Sequence, residues 1–238
     1  MRLDRFLCEM KIGTRSQVKT HIRHGAVTVN GSVAADPDTK INELSDRITF
    51  RGQVLQYSRF VYYMLNKPEG TVSATTDNTA ATVVSLLGSD WQEDIFPVGR
   101  LDKDVTGLIL LTNDGELAHR LLSPKRHVDK TYQVETEHPL MDEDIRRLEQ
   151  GLDIGEERPT MPARVEVIKP CRMLLTLHEG RFHQVKRMLQ AVGNQVVGLK
   201  RVSFGGVVLD EDLAQGQYRR LRQEEVECLR RGAGYTVF

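Results

Sequence analysis

The 238-residue sequence lacks most features that announce a chemistry by themselves. It has three cysteines, Cys8, Cys171 and Cys228, far apart in the chain. An odd, scattered set builds no disulfide framework, offers no metal-ligand spacing and suits a reducing compartment. No apolar run approaches the roughly 20 residues of a helical membrane span. The opening MRLDRFLCEM interrupts its apolar residues with charges and makes a poor secretory signal. A cytoplasmic protein with no membrane partner is therefore expected. G-x-G-x-x-G, G-x-x-x-x-G-K, H-E-x-x-H and C-x-x-C are all absent, so the sequence supplies none of these dinucleotide, phosphate, zinc or redox motifs.

Net charge is absent as well, with 33 basic against 33 acidic residues. Hydrophobic residues at 39% and charged ones at 28% make the balance of a soluble globular chain. The neutrality hides segregation. Residues 1–30 carry six Lys/Arg against two acids, and 181–201 carry five against none. The stretch 135–157 reverses this, with nine acids and two arginines. Such segregation suits a polyanion meeting one part of the surface, as well as ordinary solvated faces.

The first sixty residues predict a small module. Leu3, Phe6, Leu7 and Met10 follow i, i+3, i+4, i+7 spacing and mark an amphipathic helix, stopped at Lys11-Ile12-Gly13 with Gly13 in the left-handed position. Thr14 and Gln17 form a capping box for a second helix with Val18 and Ile22 inward, ending at Gly25. Ala26–Val29 reads as a strand, Asn30-Gly31 as a two-residue hairpin turn, and Asp46–Phe50 as another strand. Arg15, Lys19 and Arg23 recur every four residues and share a helical face, which fits phosphate binding or a plain solvated surface. Residues 51–60 read as a linker, with a turn at Arg51-Gly52 and polar Gln56–Arg59.

Beyond it, Val61–Leu65 is a strand candidate closed by the turn residues Asn66-Lys67-Pro68-Glu69-Gly70. Leu108–Leu111 is a continuous apolar run apt for a buried strand, and Thr112-Asn113-Asp114-Gly115 turns the chain into a helix with Leu117, Leu121 and Leu122 inward. Further strands are expected near 131–136, 163–168, 173–178 and 202–208, and amphipathic helices near 142–150 and 183–192. Asp102 lies in a polar, glycine-flanked loop just before the buried strand, a place that can hold a carboxylate at the floor of a cleft. Arg100, two residues away, can pair with it or with phosphate.

Two resemblances organise these pieces. SQVKTHIRHGAVTVNG, within residues 1–50, resembles the S4 domain, in which a basic helix contacts structured RNA. The loop GRLDKDVTGLILLTNDG resembles the signature of pseudouridine synthases, in the branch that modifies bacterial ribosomal RNA. DKTYQV, EGRFHQVKRM, MLNKPEG and VSFGGVVLDEDLAQGQYRRL agree with that branch in the right order. GRFHQVKRM, with lysine at 186, resembles the small-subunit enzymes, the RsuA family, more than their large-subunit relatives.

The resemblance implies an α+β fold, with an S4-like module over 1–58 and a catalytic domain over 59–238 built on a mixed, largely antiparallel sheet with flanking helices. It implies isomerisation of a uridine to pseudouridine in small-subunit (16S) rRNA, free or in an assembling subunit. The alternatives are the same reaction on large-subunit (23S) rRNA and a non-catalytic assembly factor. Asp102 would be the catalytic carboxylate, Tyr132 would stack on the target base and help remove the proton from C5, and Lys186 would pair with Asp102 and favour its ionised form. Arginine is commoner at that position, so Arg181 and Arg187 are alternatives to Lys186. Arg15, Lys19, Arg23, Arg100, Arg181 and Arg187 would contact RNA. His183, between Phe182 and Gln184, reads as a structural histidine, with a contact to RNA backbone as the alternative. The uracil is detached, turned and rejoined through carbon with no atom gained or lost, so no cofactor and no metal are expected. A carboxylate against the breaking glycosidic bond can add to C1′, act as a base at the neighbouring carbon or stabilise developing charge.

Overall fold

A computed structural model describes residues 1–42, 45–55, 60–90 and 94–235. The chain divides into two compact units, Met1–Arg59 and Phe60–Phe238. The expected boundary at 58/59 and the polar run Gln56–Arg59 lie outside the described residues.

The first unit contains helices α1 (Leu3–Glu9) and α2 (Arg15–Arg23) and strands β1 (Val27–Val29), β2 (Ser32–Val33), β3 (Ile48–Phe50) and β4 (Gln53–Leu55), in the sheet order β2-β1-β3-β4. Leu3, Phe6, Leu7, Val18, Ile22, Val27 and Ile48 are its buried core. The Thr14/Gln17 capping box forms, with Thr14 N–H donating to Gln17 Oε1 at 2.9 Å. Asn30 and Gly31 both take positive φ, 52° and 85°, as the hairpin turn requires. Two expectations need correction. Lys11, not Gly13, occupies the left-handed position after α1 (φ 56°). Arg51-Gly52 is the hairpin turn between β3 and β4 rather than the start of a linker. Its polar sequence reads equally well either way.

The second unit has a nine-stranded sheet that is antiparallel except for one pair. Its strands are β5 (Tyr62–Lys67), β6 (Phe96–Pro97), β7 (Thr106–Thr112), β8 (Lys130–Thr136), β9 (Arg164–Lys169), β10 (Arg172–Leu177), β11 (Val196–Phe204), β12 (Val207–Val208) and β13 (Tyr218–Arg220). The order is β13-β5-β7-β11-β8-β10-β9, with β12 on β11 and β6 on β7. Helices α3 (Gly115–Leu122), α4 (Asp142–Gln150), α5 (Gln184–Ala191) and α6 (Gln223–Gly232) flank it. This is the α+β, mixed and largely antiparallel architecture that the resemblance implied.

The apolar run of β7 is explained by burial on both faces. Leu108 and Leu110 point to one core, with Met64, Leu117, Leu121 and Leu229. Ile109 and Leu111 point to the other, with Tyr63, Leu65, Val84 and Leu87. Alternate residues of a strand face opposite sides, so a strand covered on both reads as continuously hydrophobic. A third core joins Val134, Met173 and Leu175 to Leu148, Val185, Met188 and Leu189 of α4 and α5.

Several expectations shift here. Asn66 and Lys67 belong to β5, and the turn begins at Pro68. Leu122 is 42% exposed; α3 ends at that residue, and its inward stripe is Leu117, Ala118 and Leu121. The strand expected at 202–208 begins at Val196 and is broken by Gly205-Gly206, both with positive φ (59° and 82°), before β12. The α6 helix and β13 were not anticipated.

The one parallel pair, β7 with β11, registers only Lys200 with Thr106 and Arg201 with Gly107. Gly107 has φ 98°, and a Cβ there would meet the Arg201 carbonyl oxygen at 2.3 Å. A side chain would push the strands apart at the foot of the loop carrying Asp102. Gly107→Ala is expected to lower stability by about 2 kcal/mol or more in urea unfolding; an unchanged midpoint would show that this approach is not tight.

Candidate active site

Asp102 stands in the loop between β6 and β7, pinned on both sides. Leu101 and Val105 are buried in the core under β5 and β7. Ser73 Oγ closes the near side, accepting from Leu101 N–H at 2.9 Å and donating to Leu101 O at 2.8 Å. Gly70 N–H donates to Lys103 O at 2.9 Å, and Val105 N–H to Asp102 O at 3.1 Å. The Asp102 side chain is left about one-third exposed, at 32%.

Lys67, fully buried at the end of β5, holds this loop from below. Its amine donates to the carbonyls of Val105 (2.7 Å), Pro68 (3.1 Å) and Lys103 (3.2 Å). Burial pushes it down to about 8, against an upward pull from Asp104, Asp102 and Glu69. In the sequence, Lys67 looks like a turn residue before Pro68-Glu69-Gly70. The signal was a lysine at the end of a strand buried on both faces, where an amine must find several acceptors.

Lys186, on α5, reaches the loop. Its Nζ lies 3.5 Å from Asp102 Oδ2 and makes shorter contacts to Asp104, at 2.7 and 2.8 Å. The Lys186 hydrogen bond, with its charge, holds the Asp104 carboxyl below its ordinary value. His183, read as structural, instead has Nε2 3.6 Å from Asp102 Oδ2. It is the left-handed N-cap of α5 (φ 49°), and its ring stacks on Phe182 at 3.9 Å. That backbone state turns the ring toward the loop, and residue type alone gave no sign of it.

Arg181 and Arg187 face elsewhere. Arg181 bonds Glu179 (3.0 Å), Glu156 (3.3 Å) and the carbonyls of Arg158 and Pro159 (2.6 and 2.7 Å). Arg187 pairs with Glu156 and donates to the carbonyls of Phe182 and Ile154. Together they clamp the 153–159 segment against α5. Among Lys186, Arg181 and Arg187, the cation beside Asp102 is Lys186.

Two adjoining cavities open at Asp102. The smaller is lined by Arg100, Leu101, Asp102, Tyr132, Lys186 and Leu199. The larger, about 450 Å³, shares Arg100, Asp102 and Tyr132 and extends to Leu122, Lys130, Phe182 and Arg201. Tyr132 is half-buried, and Arg100 is exposed at the mouth. No Arg100–Asp102 ion pair forms among the described residues. In the first unit, Arg15 and Arg23 of α2 are exposed and Lys19 is half-buried, while Val18 and Ile22 point into the core. Among the described residues no cluster of His, Cys, Asp and Glu could hold a metal, and no helix is long and apolar enough to cross a membrane.

The site combines an ionisable carboxylate, an adjacent cation and a half-buried aromatic in a cleft. Residues 61–191 match the RNA pseudouridylate synthase family, and residues 1–48 match the S4 domain. An uncharacterized RNA pseudouridine synthase of Bacillus subtilis is 46% identical over 96% of this chain and 98% of its own length. The ribosomal small subunit pseudouridine synthase A of Escherichia coli K12 is 42% identical over 95% and 98%, and that of Haemophilus influenzae is 42% identical over 96% and 99%. A crystal structure of a pseudouridylate synthase superposes with a TM-score of 0.69 at 41% identity, covering 96% of this chain and 99% of that one.

The buried lysine has a pH signature. In the unfolded chain its amine stays protonated up to its ordinary value near 10.5, but in the fold only up to about 8. Between those pH values the unfolded state binds more protons, so this group makes the fold more stable as pH rises. The stability of the wild type relative to Lys67→Met is expected to rise between pH 8 and 10, by at most about 1.4 kcal/mol per pH unit. A flat difference in denaturant titrations would mean that Lys67 does not titrate in that window.

Proposed function

The chain belongs to the RNA pseudouridylate synthase family, within it to the RsuA family, and carries an S4 domain; from that premise we propose that it converts one uridine of small-subunit (16S) rRNA to pseudouridine, with Asp102 as the catalytic carboxylate. The observation that carries the chemistry is the Asp102 side chain at a cleft, with the Lys186 amine 3.5 Å away. Near-full-length similarity to proteins named ribosomal small subunit pseudouridine synthase A favours the small-subunit target.

A target uridine stacked in a helix cannot reach this floor. It must be flipped out, at a cost of about a few kcal/mol. Tyr132, lining both cavities, is suited to stack on the extruded base. As the glycosidic bond breaks, positive character grows at the sugar. Asp102 meets it as nucleophile, as base at the neighbouring carbon, or as electrostatic partner. The uracil stays bound, so the same carboxylate serves both bond-breaking and rejoining without the second carboxylate that glycoside hydrolysis usually uses. Lys186, hydrogen-bonded to Asp104, holds its charge 3.5 Å from Asp102. Arg100 at the cleft mouth would contact RNA backbone, as would the Arg15, Lys19 and Arg23 face of α2. Arg181 and Arg187 would support the RNA surface through the segment they clamp. The work takes place in the cytoplasm, on free rRNA or an assembling small subunit.

Replacing Asp102 by Asn is expected to abolish pseudouridine formation while rRNA binding stays within about threefold of wild type. Pseudouridine mapping in a strain lacking the protein, complemented with either form, checks this; a fully restored mark would remove Asp102 from the chemistry, and a mark lost from 23S instead of 16S rRNA would move the target. Changing Arg15, Lys19 and Arg23 together to Ala is expected to weaken rRNA binding and flatten its log–log salt dependence by about two units, at roughly 0.7–0.9 per phosphate contact. An unchanged slope would take α2 out of the interface.

A further inference from the structure

The cleft has a second charged patch that the isomerisation chemistry leaves unused. Lys130 and Tyr132 are two residues apart on β8 and share a face of the sheet. Arg201 is the cross-strand partner of Tyr132 on β11, and Phe204 is that of Lys130 across a register shift; Lys130, Tyr132 and Arg201 meet at one cavity. Lys130 is 9% exposed and Arg201 2%, yet both line the larger cavity together with Asp102.

Their hydrogen bonding is incomplete. Lys130 Nζ donates to Val128 O at 3.0 Å, and Arg201 Nε to Leu108 O at 2.7 Å. Arg201 Nη2 is buried and has no partner. Both cations also sit over the Phe204 ring, at 5.5 and 5.1 Å from its centre. No carboxylate forms an ion pair with either among the described residues. Burial, reinforced by the Arg201 charge, pushes the Lys130 amine down to about 8 against an upward pull from Asp129 and Glu179.

Two buried like charges with no carboxylate in direct contact are costly. A neutral acceptor, such as a base carbonyl, would satisfy one N–H and leave both charges uncompensated. An anion with several oxygens would take up the free donors of Lys130 and neutralise the patch. We propose that Lys130 and Arg201 form an anion subsite that takes a phosphodiester of the RNA strand next to the target uridine. This rests on the reading of the Asp102 cleft as a uridine site. The subsite positions the ribose: a phosphate held in the same cavity as Asp102 fixes the strand on one side of the flipped nucleotide. Phosphate contacts of this kind set register and carry no sequence information.

Calorimetric titration of the full chain with uridine and with uridine 5′-monophosphate tests the proposal, alongside rRNA binding as a function of salt. The wild type is expected to bind the monophosphate about tenfold more tightly than uridine. Lys130→Met is expected to lose most of that preference, keep its uridine affinity, and lower the salt slope for rRNA by about 0.7–0.9. Its KM for rRNA should rise more than its kcat falls. Lys130→Arg should restore the preference. Thermal unfolding separates this from a packing role: removing an uncompensated buried cation should leave the midpoint unchanged or higher, and Arg201→Met gives an independent second variant. The proposal is overturned if uridine and its monophosphate bind the wild type equally, even where inorganic phosphate binds alone, or if Lys130→Met keeps both the preference and the slope. A lower midpoint with intact phosphate preference would likewise leave Lys130 a structural residue. Pseudouridine formation by the wild type is read separately, so failure of the subsite and failure of the uridine reading give different results.

Discussion

A lysine amine removed from water and tied to three backbone carbonyls is the constraint on which the site rests. Lys67 reaches from the end of β5 into the loop before β7 and takes the oxygens of Pro68, Lys103 and Val105. Two of those carbonyls, of Lys103 and Val105, follow Asp102 directly in its loop. Leu101 and Val105 sink into the core on either side, and Gly107 lets β11 approach β7. Hydrogen bonds to the loop backbone and the two buried flanking side chains thereby fix the carboxylate, which lines the cleft. A loop held in this way needs no reorganisation when charge develops above it, the condition under which electrostatic stabilisation is most effective.

Charge is apportioned around that loop by function. Lys186 is hydrogen-bonded to both carboxylate oxygens of Asp104 and lies 3.5 Å from Asp102, so Asp104 anchors the cation beside the Asp102 carboxylate. Arg181 and Arg187, its basic neighbours in sequence, are committed to Glu156 and Glu179. The stretch 181–201 looks uniformly cationic in sequence, yet Arg181 and Arg187 form a structural clamp, Lys186 lies beside Asp102, and Arg201 is buried in the cleft wall. The acids of 135–157 are equally divided, since Glu156 neutralises two of those arginines. Net charge along a chain says little about which cations remain available to a polyanion.

What was legible in the sequence was local. The Thr14/Gln17 cap, the Asn30-Gly31 turn and the apolar run of β7 are each decided within a few residues, and they formed as read. Asp102 and Tyr132 came from a signature whose spacing is long enough to be specific. What escaped depends on partners distant in sequence. Lys67 looks like a turn residue until β7 and its preceding loop lie against it. Leu122 loses its inward place because α3 stops there. The strand expected at 202–208 stops at two glycines that an apolar pattern does not register. His183 joins the site through a left-handed backbone state at the start of α5, and the Arg181 contacts reach across more than twenty residues to 156–159.

The central claim is that the Asp102 carboxylate sits directly under the sugar of an extruded uridine. A crystal structure of the protein with a small-subunit rRNA fragment bearing 5-fluorouridine at the modified position tests it most directly. The account predicts a flipped base against Tyr132, with an Asp102 oxygen within about 3–3.5 Å of C1′ or its neighbouring carbon, or bonded to one of them. A ribose bound away from Asp102, with the base still stacked in the RNA, would contradict it.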